Sequence, residues 1–372
     1  MVKLNVEQFK AIQTQTRITY VDAGAGTGKT TTLIERVVKC IELGVKPWNI
    51  IVLAFNNKIV EELKKKFTEK VGIKRAEKIN IYTIHGYARK VLANNVVIKT
   101  ELFNEDVFEK FVRNSWSNFK KVNKIKSKNP KNAKDEISLV INMVSKCREN
   151  NSGIKNYDER YKSFYDAFKN ELKKSGAYDF ARIVKVATKY IPQSNTPQYI
   201  FVDEFQDTSE TRFNFIKALV GNNNYLFAVG DEYQQILEWS GVKNVNVSRL
   251  KRHYKHELSI YKLTYSYRLT PQLADISNRL LSFISDRKTT RKLRGCNNSK
   301  FTFDTKKFNS QKNETEWCVG YINELVKKGV NPKNIGVLYR NSNVIDQEVI
   351  NTKAHCSTIH KAKGLEFDYV IL

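Results

Sequence analysis

The sequence predicts an α/β protein with two regions of parallel sheet and a helical insertion in the first of them. Apolar runs typical of buried strands alternate with amphipathic helical patterns over residues 18–92, and the alternation returns over residues 300–350. Residues 101–176 have helical periodicity and no strand pattern. A chain of 372 residues is long enough for two or three domains, each with its own core.

The composition indicates a polyanionic partner. The chain has 64 Lys and Arg residues against 38 Asp and Glu residues, which gives a formal net charge of +26. Nucleic acid is the simplest partner for such a charge, although charge alone leaves open a generally lysine-rich composition.

The cysteines and the N-terminus predict the compartment. The five cysteines are widely spaced and form no C-x-x-C pair, so we expect reduced core thiols. The N-terminus has no apolar signal-peptide core, and no stretch approaches the ~20 apolar residues that span a bilayer. We therefore expect a soluble, cytoplasmic protein with no membrane partner.

The first predicted element is a helix over Leu4–Gln13. Asn5 is a candidate N-cap, and Gln8, three residues later, completes a capping box. A glutamine amide carries both a donor and an acceptor, so Gln8 could equally pair with an adenine base. This segment alone leaves both roles open.

A phosphate-binding loop is predicted in the stretch YVDAGAGTGKTTT, from Tyr20 to Thr32. A buried strand over Ile18–Val21 leads into a glycine-rich turn, and an apolar-periodic helix begins near Lys29. The N–H groups of such a turn surround a phosphate, the lysine reaches the β- and γ-phosphates, and the Thr30 hydroxyl would bind Mg²⁺. Ala23 stands where the G-x-x-x-x-G-K-[ST] pattern has its first glycine. The candidate nucleotide-binding residues of the loop are Ala23, Gly24, Ala25, Gly26, Thr27, Gly28, Lys29, Thr30 and Thr31.

Two further strand and helix pairs follow the loop. Strands are predicted over residues 47–55 and 79–84, and helices over residues 57–67 and 85–92. Polar and aromatic side chains stand at the carboxyl ends of these strands, where open α/β sheets bind ligands. They are Phe55, Asn56, Asn57, Thr83 and His85. The structural alternatives are a core aromatic at Phe55 and a helix cap at His85.

The helical region carries a basic segment. Ten basic residues lie between Lys120 and Lys155, next to the aromatic residues Phe111, Trp116 and Phe119. Basic and aromatic side chains together favour a nucleic-acid contact, whereas a solvated charged face is the commoner explanation of a basic run.

The sheet is predicted to resume at Tyr199–Val202, followed directly by Asp203 and Glu204. A carboxylate pair at the end of a buried strand is costly unless it has a function. Because a phosphate loop lies upstream, we expect Asp203 to bind Mg²⁺ and Glu204 to polarise the attacking water. Capping of a helix that begins near Ser209 is the alternative role for Asp203.

The next strand is predicted over Tyr225–Val229 and is followed by Gln234 and Trp239. An amide at a strand end can sense a γ-phosphate, and a tryptophan can stack on a base. Core packing is the alternative for Trp239.

A second alternating region ends the sequence. It follows Leu263–Arg268 and a helix that begins near Pro271, with proline in its preferred first turn. The later elements are predicted as strands over Lys300–Asp304, Ile335–Tyr339 and Tyr369–Leu372 and as helices over Glu314–Lys328 and Val344–Ile350. We expect the last strand to lack sheet neighbours.

Eight motifs, in order, resemble those of the UvrD/Rep/PcrA family of superfamily 1 DNA helicases. They are LNVEQFKAI, AGAGTGKT, LAFNNK, YTIHGYARKVL, FVDEFQDTSE, VGDEYQQILEW, YSYR and TIHKAKGLEF. The resemblance implies two RecA-like P-loop NTPase motor domains with parallel sheets, with ATP between them and single-stranded DNA across them. Residues 1–93 and 177–262 would form the first motor domain, residues 94–176 its basic helical insertion, and residues 263–372 an incomplete second motor domain.

The resemblance also implies residue roles. Lys29, Asp203, Glu204, Gln234 and Arg268 would be catalytic, and Thr30 and Asp203 would bind Mg²⁺. Gln8 and Tyr267 would contact adenine, and Glu366 the ribose. The DNA-binding residues would be Phe55, Asn57, Thr83, His85, Trp239, Thr358 and His360.

The activity implied by the resemblance is that of an ATP-dependent, Mg²⁺-requiring helicase or translocase, moving 3′ to 5′ on single-stranded DNA. Its partners would be single-stranded and partial-duplex DNA, and we expect a monomer that a protein loading partner or a separate C-terminal segment would complement. An RNA motor is an alternative from the same superfamily. Repair, replication, recombination, phage or plasmid replication, and defence all remain open as pathways.

Four departures from the family pattern qualify this prediction. Thr31 replaces a usual arginine, and Leu237 and Ser240 replace a tyrosine and an arginine beside Trp239. Only residues 351–355 stand where the family has a large accessory helical domain, and the last arginine motif would lie beyond residue 372. An ATP- and DNA-binding protein without productive hydrolysis is therefore the alternative function.

Overall fold

The computed structural model describes residues 4–95, 104–125, 133–150, 153–191, 197–235, 246–284, 291–341 and 346–372. The chain forms two compact units, Met1–Ser299 and Lys300–Leu372. Among the described residues, no helix is both long and apolar enough to cross a membrane. The predicted division into motor domains and insertion stays a prediction.

The first unit is built on a six-stranded sheet with the order β3-β2-β4-β5-β1-β6. The strands are β1 (Ile18–Ala23), β2 (Ile50–Ala54), β3 (Asn80–Thr83), β4 (Tyr199–Val202), β5 (Tyr225–Gly230) and β6 (Leu258–Leu263). Every pairing between them is parallel. Alternate residues of β2 contact opposite apolar cores, Ile51 and Leu53 on one face and Ile50 and Val52 on the other. Burial on both faces explains the continuous apolar runs of these strands, and the α/β prediction is confirmed.

Helices cover both faces of this sheet. They are α1 (Val6–Ile12), α2 (Lys29–Glu42), α3 (Asn57–Val71), α4 (Ile73–Ala76), α5 (Ile84–Asn95), α9 (Phe180–Lys189), α10 (Glu210–Val220) and α11 (Asn246–His253). In α2, Leu33, Ile34, Val37 and Cys40 are buried at helical spacing against the core that contains Ile50. Each strand end is thereby held on a packed layer, which fixes the positions of the loops that follow the strands.

Three helices between α5 and α9 form a separate helical layer. They are α6 (Glu105–Val122), α7 (Ala133–Glu149) and α8 (Glu159–Lys174). Trp116 is buried, with its ring centre 4.8 Å from that of Phe164, and Phe111 and Phe119 pack against the same core. Trp116 therefore belongs to the apolar core that the three helices need, and a nucleic-acid contact of the basic segment stays a prediction. Lys126, Lys128 and Lys131 of the basic segment lie outside the described residues.

A short pairing completes the first unit. Strand β7 (Tyr265–Ser266) pairs in parallel with β8 (Arg294–Gly295), and helix α12 (Pro271–Ile284) lies between them in sequence. This segment is compact with the six-stranded sheet, because the first unit extends to Ser299.

The second unit has a three-stranded sheet of order β10-β9-β11, with strands β9 (Ile335–Tyr339), β10 (His355–Thr358) and β11 (Tyr369–Ile371). Helices α13 (Gln311–Lys327) and α14 (Gln347–Asn351) accompany it, and Ile322 of α13 is fully buried in its core. The final strand pairs in parallel with β9, with Ile371 opposite Val337, so the expectation that it lacks neighbours is wrong.

The predicted strand over Lys300–Asp304 is also wrong. Residues 301–308 have no regular secondary structure. The alternation of Phe301 and Phe303 suggested a strand, but the two rings stack on each other, with centres 6.5 Å apart, and the backbone joins no ladder. The predicted helix from Val344 begins at Gln347, and residues 342–345 lie outside the described residues.

Candidate nucleotide and nucleic-acid site

The phosphate-loop candidate connects the end of β1 to the start of α2. Gly26 and Gly28 have φ values of 68° and 80°, the left-handed region that glycine adopts without strain. The Thr27 hydroxyl donates to the Gly24 carbonyl at 2.9 Å, which closes the turn from within. Helix α2 begins at Lys29 without a side-chain cap from the described residues, so its first N–H groups face the loop.

Four predicted side chains converge on Lys29. Its Nζ lies 3.2 Å from Gln234 Oε1 and 3.5 Å from Glu204 Oε2. The neighbouring Thr30 hydroxyl donates to Asp203 Oδ2 at 3.1 Å. Asp203 follows β4 and Gln234 follows β5, so parallel strands deliver these groups to one sheet edge, as the sequence predicted.

The environment at the end of β4 perturbs the carboxyl group of Asp203. Burial, followed by the charge of Glu204, raises the pKa of Asp203 to about 6, and Lys29 opposes the rise. Glu204 has a φ of 49°, which is uncommon for a residue with a Cβ and is found mostly at functional sites. Its Oε2 accepts a hydrogen bond from Gln206 Nε2, which directs the carboxylate.

Gln8 has the capping role that the sequence left open, and its contact with adenine stays a prediction. It completes the capping box with Asn5, and its Nε2 also donates to the Thr27 carbonyl of the loop at 3.1 Å. The side chain is buried, and a Cβ at Gly28 would approach its Nε2 to 2.6 Å. The amide is thus seated directly on the phosphate-loop backbone.

The segment with the arginine motif lies against the same loop. The Ser266 hydroxyl donates to the Ala25 carbonyl at 2.7 Å, and the Tyr267 N–H donates to the Gly26 carbonyl at 2.8 Å. A Cβ on Gly26 would lie 2.4 Å from the Cβ of Arg268. The Tyr267 ring is half exposed, and its hydroxyl accepts from Asn5 Nδ2 at 2.9 Å.

Two candidate DNA residues of the first unit, Phe55 and His85, line a small pocket together with the carboxylates. Phe55, His85, Asp203, Glu204 and Arg212 are among its lining residues. The Arg212 guanidinium lies 5.7 Å from the centre of the Phe55 ring. Burial, and to a lesser extent Arg212, lowers the pKa of His85 to about 3, so its imidazole is neutral at physiological pH.

His85 is not a simple helix cap. Within the described residues its buried Nε2 has no hydrogen-bond partner, while its ring edge contacts Phe180 at 5.0 Å between centres. Thr83 is the residue that accepts the Gly86 N–H at the start of α5, at 3.0 Å. Asn57 is exposed at the start of α3.

The remaining predicted residues belong to the second unit or lie outside the described residues. Thr358 ends β10 in the second unit, where its hydroxyl accepts the Lys361 N–H at 3.3 Å. His360 and Glu366 follow it, between β10 and β11. Trp239 lies outside the described residues, with Leu237 and Ser240.

Sequence reasoning missed Arg291. Its side chain is 1% exposed, its NH2 donates to Asp231 Oδ1 at 2.7 Å, and its NH1 pairs with Asp22. The signal was Asp22, an acidic residue within an otherwise apolar strand, because a buried carboxylate requires a cationic or hydrogen-bonding partner. The sequence does not indicate which of the many basic residues supplies it.

Comparison with known proteins bears on the same residues. Residues 4–255 match the UvrD/REP helicase N-terminal domain. The chain is 27% identical to a probable DNA helicase of Mycoplasma pneumoniae, over 100% of this chain and 75% of the relative. It is 28% identical to a probable DNA helicase II homolog of Mycoplasma capricolum, over 94% of this chain and 51% of the relative. It is 25% identical to the ATP-dependent DNA helicase PcrA of Staphylococcus aureus, over 91% of this chain and 48% of the relative.

The chain thus spans about half the length of the last two relatives and three quarters of the first. The domain match contains the phosphate loop, the carboxylate pair and Gln234. Since this match extends over well more than half of the sequence, the chain belongs to the UvrD/REP helicase family.

Proposed function

We propose that this protein is an ATP-dependent DNA helicase or translocase that moves 3′ to 5′ on single-stranded DNA and couples ATP hydrolysis to strand separation. The observation that carries the proposal is the convergence of Thr30, Asp203, Glu204 and Gln234 around Lys29. Structural packing gives no reason to bring two carboxylates, a lysine and two neutral polar groups to one sheet edge.

The site has the groups that ATP and Mg²⁺ require. The loop N–H groups and Lys29 would bind the phosphates, and Gln8 and Tyr267 would contact adenine. The Thr30 hydroxyl and the Asp203 carboxylate, 3.1 Å apart, are hard oxygen donors of the kind that Mg²⁺ prefers. When bound, Mg²⁺ would neutralise part of the phosphate charge.

Glu204 is the proposed general base. Its carboxylate would orient a water toward the γ-phosphate and accept its proton. Gln234 would contact the γ-phosphate, Arg268 would stabilise the charge that develops there, and Glu366 would bind the ribose. Lys29, which contacts both Glu204 and Gln234 in this structure, would move onto the phosphates.

The proposed DNA side of the site adjoins the hydrolytic side. Phe55 and His85 line the same pocket as Asp203 and Glu204, so DNA held by these two rings would lie beside the proposed catalytic carboxylates. Because His85 is neutral, it would contact DNA by hydrogen bonding and stacking, with no charge of its own. The other proposed DNA residues are Asn57, Thr83, Trp239, Thr358 and His360.

The proposal is tested by steady-state ATP hydrolysis with and without single-stranded DNA and RNA. We expect turnover that single-stranded DNA stimulates more than RNA does, and that Lys29→Ala lowers by about 10²-fold or more. Lys333→Ala, which removes an exposed lysine of the second unit, is the matched control and should retain turnover. Binding of ATP and DNA without turnover above the Lys29→Ala level would instead support a binding protein without productive hydrolysis.

A further inference from the structure

Arg291 is the most deeply buried cation beside the nucleotide site. Its guanidinium bridges Asp22, on β1, and Asp231, directly after β5, and it lies 5.4 Å from the centre of the Tyr233 ring. Burying three charged groups together has a desolvation cost that apolar side chains in the same place would avoid. The cluster is therefore a candidate for a role beyond packing.

Asp231 connects Arg291 to the side chains on the phosphate side of the site. Its Oδ1 accepts from Arg291 NH2 at 2.7 Å, and its Oδ2 accepts from Gln234 Nε2 at 2.8 Å. The Gln234 Oε1 in turn accepts from Lys29 Nζ at 3.2 Å. Because a carboxylate can only accept hydrogen bonds, Asp231 pairs with Nε2 of the Gln234 amide and thereby turns Oε1 toward Lys29.

The segment that carries Arg291 is also attached to the arginine motif. Three residues after Arg291, Arg294 and Gly295 pair with Tyr265 and Ser266, directly before Arg268. Leu293 packs on the phosphate loop, where a Cβ on Gly24 would lie 2.3 Å from its Cδ2. Arg291 is therefore linked to Gln234 through Asp231, and its segment pairs with the strand that precedes Arg268.

We propose that Arg291 is a positioning residue that, through Asp231, fixes the Gln234 amide for the γ-phosphate and holds the Arg268 segment against the phosphate loop. This inference rests on the proposed function. It assigns Arg291 to recognition of the third phosphate and to turnover. The affinity for ADP, which lacks the third phosphate, does not depend on Arg291.

The test compares Arg291→Met, Arg291→Lys and the double variant Arg291→Met with Asp22→Asn in the full chain. The methionine has similar length and no charge, and the double variant removes one of the two carboxylates that would otherwise face each other unpaired. Each variant is measured for affinity toward ADP and toward a non-hydrolysable ATP analogue, for kcat of DNA-stimulated hydrolysis, and for Tm.

We expect Arg291→Met to lower Tm and the double variant to recover most of that loss. In both variants the preference for the ATP analogue over ADP should fall, and kcat should fall about tenfold, the effect of one oriented hydrogen bond. ADP affinity should stay within about twofold of the unsubstituted protein. Arg291→Lys, which can keep the Asp231 contact, should retain an intermediate kcat.

Unchanged analogue preference and kcat in the folded double variant would overturn the inference. A parallel loss of ADP and analogue affinity would also overturn it, because it would indicate a general structural role. The preference for the ATP analogue over ADP is measured without hydrolysis. An unsubstituted chain that binds nucleotides but does not hydrolyse ATP would therefore contradict the proposed function. The nucleotide preferences of the variants would still test the role of Arg291.

Discussion

Asp203 is a carboxylate in a buried environment. It is buried, and its pKa rises from 3.8 to about 6 because burial and the Glu204 charge disfavour the carboxylate. A buried carboxylate whose charge is only partly neutralised gains most from a bound positive charge. Asp203 is therefore suited to bind a divalent cation.

The raised pKa of Asp203 predicts how stability depends on pH. The folded state binds a proton on Asp203 more tightly than the unfolded state does, so this group lowers the free energy of unfolding as pH rises from about 4 to about 6. The loss is complete above about pH 6 and amounts to at most about 3 kcal/mol. Asp203→Asn lacks this titrating group, so its free energy of unfolding should decrease less between these pH values.

Urea unfolding at pH 4.5 and 7 in the absence of Mg²⁺ and nucleotide, at about 25 °C, measures this difference. Asp304→Asn, at an exposed carboxylate of the second unit, is the control and should follow the unsubstituted protein. Equal pH dependence in Asp203→Asn and the unsubstituted protein would contradict the burial of this charge.

Arg291 illustrates what sequence reasoning could not reach at the residue scale. Lys29, Thr30, Asp203 and Glu204 stand in local patterns whose chemistry is readable within a few residues of sequence. Arg291, however, pairs with carboxylates 269 and 60 positions away. Only the folded chain brings such distant residues together, and the choice among many basic side chains is made by tertiary packing.

At the scale of the element, the sequence predicted five of the six strands of the first sheet, together with β9 and β11. It did not predict β6, β7, β8 or β10. Apolar runs such as Ile50–Ala54 are buried along their whole length, which makes their pattern continuous. The two-residue strands β7 and β8 are set by a pairing between residues 29 positions apart, with no periodicity to detect. The aromatic alternation of Phe301 and Phe303 gave a false strand signal because it records ring stacking.

The phosphate loop also yields a prediction at this scale. Gly26 has a φ of 68°, and a Cβ there would lie 2.4 Å from the Cβ of Arg268. Gly26→Ala should therefore strain the loop by roughly 1–3 kcal/mol and displace the arginine segment, which weakens ATP binding by about tenfold or more.

Gly44→Ala is the matched control for this loop variant. Gly44 also has a positive φ, 91°, but a Cβ there would meet nothing within 4 Å. It should cost about 1 kcal/mol in the free energy of unfolding and leave ATP affinity unchanged. Equal ATP affinities of the two variants would contradict the proposed place of Gly26 in the nucleotide site.

At the scale of the whole molecule, the chain combines a high net positive charge with this candidate site. A net charge of +26 favours association with a polyanion through counterion release, and it gives no preference for sequence. Charge and motif order predicted the family and the nucleic-acid partner. They did not predict that the aromatics beside the basic helical segment form a core, because composition does not distinguish a buried ring from an exposed one.

Release of streptavidin from end-biotinylated oligonucleotides measures the proposed ATP-driven movement along single-stranded DNA. We expect ATP-dependent release that is faster from a 5′ end than from a 3′ end, with no release by Lys29→Ala and normal release by Lys333→Ala. Release from neither end, under conditions in which ATP and DNA are both bound, would contradict a motor, and faster release from the 3′ end would contradict the proposed direction.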